Sequence, residues 1–223
     1  MISTLEKEIT FRFLKARKKD GFLNVISIFS FIGISLGVAV LIIVMSVMNG
    51  FRTELINKIV GFNSHITVKF YGKSIDQNKL NNSNLKLISK NIIFSNSGEA
   101  IILKDKTSKG IVLRGYKGND FSDLEIIKNK KFKGDKSFYK NSISIGNELS
   151  FALDIQIGDE ITLMSPSSVD TIIGSIPKQK TFIITSIFNS GLADFDNNIA
   201  FINLETLENF FGYGAKDRNL EIY

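Results

Sequence analysis

The chain has 223 residues, of which 28 are Lys or Arg, 22 are Asp or Glu, two are Pro and none is Cys. This composition excludes collagen-like, disulfide-stapled and low-complexity disordered proteins. The formal net charge of +6 raises the question of nucleic-acid binding, but residues 1–20 alone carry six basic and three acidic side chains. Because the remaining charge is nearly balanced over a long sequence, the dense basic patch of a nucleic-acid interface is not present, and we expect no nucleic-acid partner.

Residues 21–51 carry no ionisable side chain. About 20 apolar residues are enough to cross a bilayer core of roughly 30 Å, so this segment predicts a transmembrane helix. A cleaved signal peptide fits less well, because its apolar region would be about 7 to 15 residues long. The apolar spacing continues beyond the membrane to about residue 60, where Gly61 supplies a stop signal.

The basic residues before this helix predict its orientation. Six Lys or Arg lie within residues 1–20, and only Arg52 and Lys58 follow the span closely. The positive-inside rule then predicts a cytoplasmic N-terminus and an extracytoplasmic main domain. Residues 1–20 are interpreted as a cytoplasmic interfacial segment that meets anionic membrane lipids, with a frayed tail as the alternative.

One face of the predicted helix has a distinctive composition. Gly33 and Gly37 form a GxxxG pair with Ser30 one turn before them, which is typical of close packing between helices. Further along, the same face becomes bulky and apolar, so that it either packs on a partner helix or faces a lipid-like substrate. This second part consists of Val40, Val44, Val47, Met48 and Phe51.

After residue 60 the pattern changes to short strands and helices, which predicts an α+β extracytoplasmic domain. We divide it into two sub-domains, residues 61–135 and residues 136–212, because the stretch between 129 and 141 is rich in Lys, Gly and Asn. Residues 213–223 read as the start of a return strand, and we expect a longer protein that continues beyond it.

The only two prolines, Pro166 and Pro177, bracket a loop between two predicted strands. At its centre, the apolar Ile172 and Ile173 stand beside Gly174, which can act as a hinge. An exposed apolar hairpin tip is a candidate docking element. A hairpin folded back onto its own domain is the alternative.

The sequence contains no pattern for catalysis, since it has no Cys, a single His (His65), no phosphate-binding glycine loop and no nucleophile elbow. Asp194, Asp196, Asn198 and Glu205 have the spacing of positions 1, 3, 5 and 12 of a calcium loop. Ile199 occupies the position where that loop needs Gly, so we predict a tight turn into a strand and no metal site.

Three segments resemble the lipoprotein-releasing permeases, the LolC/LolE family of ABC transporter subunits. The most specific is residues 18–66, which contains SVMNGF. The other two, residues 145–166 and residues 188–211, are shared with the wider superfamily that includes MacB and FtsX. The resemblance covers nearly the whole chain, most weakly over residues 72–140.

This resemblance implies an inner-membrane protein with one N-terminal transmembrane helix followed by a MacB-like periplasmic domain of two sub-domains. It implies a permease subunit that has no catalysis or cofactor of its own and works with a second permease, either a copy or a paralogue. ATP and Mg²⁺ would bind to a separate cytoplasmic ATPase. By position, Val44, Val47 and Met48 would line a cavity for lipoprotein acyl chains, and the loop 166–177 would recruit a periplasmic lipoprotein carrier. An FtsX-like regulatory scaffold and a MacB-like mechanotransmission permease stay open as alternatives.

Overall fold

The structure is a computed structural model, and it describes residues 4–14, 21–69, 85, 89–105, 107–128, 131–137, 139–171 and 174–223. The chain begins with two helices. The first, α1, covers Thr4–Leu14. The second, α2, runs over 42 residues, Gly21–Phe62, and at 1.5 Å per residue it measures about 63 Å. It ends one residue after the stop signal predicted at Gly61.

Helix α2 is apolar on all sides. Among the described helices, it is the one long and apolar enough to cross a membrane, over Val25–Ile56. Bulky side chains such as Phe29 and Phe31 are 72% exposed. A helix that is apolar around its whole circumference needs an apolar surrounding, and a bilayer supplies it. The predicted transmembrane helix is therefore confirmed.

The chain divides into two compact units, residues 1–55 and residues 56–223. The second unit contains the last turns of α2 and all of the described strands. Its strands are β1 (Ile66–Lys69), β2 (Ile92–Lys104), β3 (Thr107–Tyr116), β4 (Lys133–Gly134), β5 (Ser142–Gly146), β6 (Glu160–Thr171), β7 (Gly174–Phe188), β8 (Ile199–Asn203) and β9 (Asn219–Ile222). Its remaining helices are α3 (Gly118–Asp123), α4 (Glu125–Lys128), α5 (Asn147–Leu153), α6 (Ala193–Asn198) and α7 (Leu204–Phe211).

Six of these strands close into a barrel, in the order β2, β3, β8, β5, β7, β6 and back to β2. The pairs β3–β8 and β5–β7 are parallel, and the other four pairs are antiparallel. Outside the ring, β9 pairs with the first residues of β2, and β1 pairs with β9. Strands from both predicted sub-domains share the ring, so the predicted boundary does not separate two sheets.

The barrel interior is a core of aliphatic side chains. Alternation along each strand turns one set of residues inward, such as Ala100 and Ile102 of β2 and Leu113 of β3, all of them buried. Helix α7 adds Leu207, Phe210 and Phe211 to the same core. Its close approach requires a glycine on β2, since a Cβ at Gly98 would lie 2.7 Å from the Phe211 ring.

A second, aromatic core lies on the outer face of the sheet. Tyr116, Phe188 and Phe201 are buried there beneath α3 and α4. The rings of Phe188 and Phe201 are 4.9 Å apart in a tilted arrangement, a geometry that aromatic pairs favour. The sheet therefore buries apolar side chains on both faces, as a two-layer α+β domain does.

The residues that follow α2 contact this sheet within the second unit. Arg114 of β3 donates a hydrogen bond from Nη2 to Oδ1 of Asn63, at 2.9 Å, and its guanidinium lies over the ring of Phe195. The backbone N–H of His65 donates to the carbonyl of Ile222 at 2.9 Å. The chain thus passes from the helix into β1 through a segment that is bonded to both β3 and β9.

Candidate functional site

The predicted bulky face of α2 forms one continuous apolar surface. Val44, Val47, Met48 and Phe51 line a single shallow depression on the helix, together with Ile43. Each of these side chains is more than half exposed. Val40 lies one turn before Val44 and extends the same face. Ile43 was not among the predicted residues, although its position one turn before Val47 marks it as part of this face.

The small residues of the same helix lie nearer its N-terminus. A Cβ built at Gly33 or at Gly37 would have no heavy atom within 4 Å. Ser30 lies one turn before Gly33 and is exposed. The two glycines therefore leave the surface of the helix open to the close approach of another backbone, and the packing role of this stripe stays a prediction.

The two prolines lie midway along the long antiparallel hairpin formed by β6 and β7, which we call the bulged hairpin. Its base is the part next to the prolines on the barrel side. The pairing register shifts between Met164 and Ser168, so that Pro166 lies in a bulge of β6. Proline is tolerated in a strand at such a position because it donates no ladder hydrogen bond. On β7, Pro177 is opposite Ser168. The pairing then continues outward to Thr171 and Gly174.

The outer end of this hairpin agrees with a tight turn. Thr171 pairs with Gly174, which has a positive φ of +125°, so the turn needs a glycine there. Ile172 and Ile173, the predicted apolar tip, lie outside the described residues. Next to them on β7, Ile176 is 52% exposed, so part of the hairpin carries an apolar side chain in contact with solvent.

The base of the hairpin is tied to the rest of the domain. Ser165 is buried beside Pro166. Lys178 donates a hydrogen bond from Nζ to the backbone carbonyl of Asn209 in α7. The Nε2 group of Gln179 lies 3.9 Å from the sulfur of Met164 across the strand pair. The bulge therefore separates a base that is fixed to the barrel from a hairpin that projects beyond it.

The acidic segment that has calcium-loop spacing serves the fold instead. Asp196 is buried, and its carboxylate accepts the backbone N–H of Ser190 at 2.9 Å. Asn198 donates from Nδ2 to the carbonyl of Asp194 at 2.8 Å. In the described part of the chain, no group of three or more metal-ligating side chains comes together. The prediction of a tight turn before the strand was wrong in detail, because residues 193–198 form the short helix α6.

The single histidine takes part in the fold through its backbone. His65 immediately precedes β1, and its side chain is exposed. Its backbone N–H donates a hydrogen bond to the backbone carbonyl of Ile222. His65 thus lies at the surface of the domain. Among the predicted sites that the structure describes, the apolar face of α2 and the hairpin formed by β6 and β7 have surfaces suited to binding.

An apolar spanning helix joined to an α+β domain defines a membrane-anchored domain. More specifically, the chain belongs to the MacB-like periplasmic core domain family, which matches residues 27–223. The fold class expected from the sequence is confirmed by this match. The matched residues include most of α2 and the whole barrel.

Several proteins that are similar to most of this chain are named as components of a lipoprotein-releasing system. A "Lipoprotein-releasing system transmembrane protein LolC" from Xylella fastidiosa (strain Temecula1) is 26% identical over 215 residues, covering 93% of this chain and 51% of its own. A LolC protein from Neisseria meningitidis serogroup B is 28% identical over 91% of this chain and 50% of its own. A LolE protein from Haemophilus influenzae is 25% identical over 92% of this chain and 51% of its own.

These similarities confirm the resemblance to the LolC/LolE permeases. The chain spans about half the length of the curated relatives it matches. Among solved structures, the extracellular domain of the ABC-type transporter YknZ from Gram-positive bacteria has 12% sequence identity and a TM-score of 0.40, covering 71% of this chain and 83% of its own.

Proposed function

We propose that the chain belongs to a permease subunit of an ABC transporter that releases lipoproteins from the bacterial inner membrane. The observation that carries this proposal is the extent of the similarity to lipoprotein-releasing proteins, which covers 93% of the chain in the Xylella relative. It thus includes the spanning helix and the barrel together. The N-terminus would be cytoplasmic, and the barrel would be periplasmic.

In this proposal the apolar face of α2 holds the acyl chains of the lipoprotein. Val44, Val47 and Met48 form a surface without a polar group, which suits a hydrocarbon ligand because burial of apolar area drives such binding. ATP and Mg²⁺ would be bound by a cytoplasmic ATPase subunit, and a second permease, copy or paralogue, would complete the transporter. Membrane lipids would surround the rest of the helix.

The bulged hairpin is the proposed docking element for a soluble periplasmic carrier. Its base is bonded to α7 through Lys178, and the outer part of β7 carries the exposed Ile176, an arrangement that a partner protein can bind. Pro166, Gly174 and Pro177 set its shape, and Ile172 and Ile173 are the contact residues we propose at its tip.

The acyl-chain surface is tested by charge substitution in cells. Val44→Glu and Met48→Glu would place a carboxylate in the apolar depression, and mature lipoproteins should accumulate in the inner membrane. Ile42→Glu is the matched control, because it puts the same charge at a nearby depth on the opposite side of α2. Equal lipoprotein sorting in all three variants, at equal protein levels, would overturn the assignment of this face.

Crosslinking separates this function from an FtsX-like scaffold. A photoreactive amino acid in place of Ile173 should capture the lipoprotein carrier. Capture of a cell-wall enzyme activator would instead favour the scaffold. A MacB-like exporter would show a drug-efflux phenotype when the gene is deleted.

A further inference from the structure

Strand β7 contains a bulge of its own where it pairs with β5. In this parallel pair Ile143 is opposite Ile184, whereas the next residue of β5, Ser144, is opposite Ser186. Thr185 is therefore an extra residue that has no counterpart on β5. Such a bulge interrupts the regular ladder of hydrogen bonds and changes the direction of the side chains that follow it.

The bulge lets β7 contribute to both cores of the domain. Ile184 and Ile187 both pack in or against the barrel core, although a regular strand would turn residues three apart to opposite faces. Phe188, the next residue, is buried in the aromatic core on the outer face. Ser186 shares this outer face with Phe188, because Ile187 between them faces inward.

Ser144 and Ser186 lie side by side on the outer face of the sheet. Ser144 is opposite Phe201 of β8 on one side and Ser186 of β7 on the other. Its neighbours in β5, Ile143 and Ile145, belong to the barrel core, so Ser144 points outward. Two small polar side chains thus stand next to the ring of Phe201, and they fill less of this layer than aromatic side chains do.

Three hydroxyl groups are buried at the bulge. Ser144 and Ser186 are both 0% exposed. Among the described residues, none forms a hydrogen bond with Oγ of Ser144, Oγ of Ser186 or Oγ1 of Thr185, and all three atoms are shielded from solvent. A buried hydroxyl without a partner is unfavourable, and native proteins contain few of them. Three at a single bulge indicate a bound ligand that satisfies them.

The chemistry of the three hydroxyl groups determines the kind of ligand. Each can both donate and accept hydrogen bonds, and none carries a charge. A neutral molecule that also donates and accepts fits them better than an ion does, since a buried ion needs an opposite charge beside it. A buried water molecule typically makes about three hydrogen bonds to groups that the protein leaves unpaired.

We propose that the bulge of β7 binds one internal water molecule, which bridges the hydroxyl groups of Ser144 and Ser186 and bonds to that of Thr185. The water satisfies the groups that the bulge leaves unpaired. The bulge in turn directs Ile187 to one core and Phe188 to the other. This site goes beyond the proposed function and does not depend on it, because it follows from the pairing of β5 with β7.

The sign of a stability change tests the site. In the complete chain, purified in detergent micelles, Ser144→Ala should lower the midpoint of thermal unfolding by about 2 to 4 °C, because the water loses a partner. Near-ultraviolet circular dichroism of the aromatic side chains follows the transition. Without a bound water, the same substitution removes an unpaired buried hydroxyl and should leave the midpoint unchanged or raise it, an outcome that would overturn the proposal.

A double-mutant cycle shows whether the two serines share one ligand. The losses for Ser144→Ala and Ser186→Ala should not add, because either change alone already removes the bridge. Ser142→Ala is the matched control, since Ser142 lies on the same face of β5 and its hydroxyl is bonded to the backbone of Tyr139. Its loss should add to that of Ser186→Ala. If the losses are additive in both pairs, no molecule bridges the two serines and the site is wrong.

A high-resolution crystal structure of the wild-type chain tests the water directly and does not depend on the folding of any variant. Density for one water should lie about 2.8 Å from the hydroxyl oxygens of Ser144 and Ser186. The proposal fails if the two serines bond to each other or to backbone carbonyls, or if no density lies between them. Density for a bound cation in that position would contradict it equally.

Discussion

At the scale of single residues, Gly146 is the described glycine at which an added Cβ would meet another atom at the shortest distance. It ends β5 and precedes α5, and α6 crosses directly over it. A Cβ at this position would lie 2.5 Å from the Cα of Asp196, and even closer to its carbonyl oxygen. The position accepts hydrogen as its side chain and nothing larger.

We expect Gly146→Ala to lower the free energy of unfolding by more than about 3 kcal/mol, because backbone atoms of α6 would have to move. Urea unfolding followed by circular dichroism measures the loss. Gly118→Ala, where the space is open, should change stability by less than about 1 kcal/mol. A similar stability for both variants would mean that α6 shifts without cost.

The buried carboxyl of Asp196 makes the free energy of unfolding depend on pH. Burial raises the pKa of its carboxyl above the usual range, although the hydrogen bonds from Ser190 oppose the effect. The folded state then binds this proton more tightly than the unfolded state does. The contribution of Asp196 to stability is therefore fully present below its unfolded pKa of about 4, and it is lost as the pH rises through the folded pKa.

Asp196→Asn removes this titration. We expect the free energy of unfolding of the wild type to fall relative to that of Asp196→Asn as the pH rises from about 4 to 7. Unfolding curves of both proteins at closely spaced pH values give the difference directly. A difference that is constant, or that grows in favour of the wild type, would contradict the raised pKa.

At the scale of secondary-structure elements, a buried carboxylate ties β9 to its neighbours. Glu221 of β9 accepts hydrogen bonds from Ser95 at 2.5 Å, from Tyr116 at 3.0 Å and from Tyr223 at 2.8 Å. Burial, followed by the Glu221 charge, raises the pKa of both tyrosines, so their hydroxyl groups stay protonated and keep donating. Strands β2, β3 and β9 thus meet at one acceptor.

Glu221→Leu leaves these three hydroxyl groups without their acceptor, and we expect it to cost about 2 to 4 kcal/mol. Because β1 pairs only with β9 among the described strands, the amides of β1 and β9 should exchange with solvent faster than those of β5. Hydrogen-exchange mass spectrometry resolves these segments. Glu160→Leu, at an exposed position, should leave the exchange of β1 and β9 unchanged.

For the whole molecule, the two compact units predict independent stability. Both apolar cores of the second unit are built from residues 93–223. A chain that begins at Ile56 should therefore be soluble and unfold cooperatively, with a β-rich circular dichroism spectrum. Aggregation or a non-cooperative transition of this shortened protein would show that the barrel depends on residues 1–55.

Hydrophobic spacing and turn residues were sufficient to predict the elements that depend on neighbouring residues in the sequence. The spanning helix follows from hydrophobic spacing, and the hairpin that contains Pro166 and Pro177 follows from its turn residues. Helix α6 was missed because its six residues read equally well as a turn. The apolar face of α2 was predictable from its spacing, apart from Ile43.

Ring closure was beyond any local pattern. The pair β2–β6 joins Ile101 to Met164, and β3–β8 joins Val112 to Ile199, so each depends on residues far apart in the chain. The hollow that Gly110 and Pro166 line on the outer wall of the barrel was missed for the same reason. A glycine in a strand marks a close approach or a gap, and only the neighbouring strands decide which of these it is.

The closed ring also sets the order of events during synthesis. Its parallel pairs, β5–β7 and β3–β8, require that distant segments meet, and such non-local contacts slow folding. The ring lacks one wall until β8, which ends at Asn203, has emerged. Until then, the apolar strands that have already been made remain uncovered and prone to aggregate.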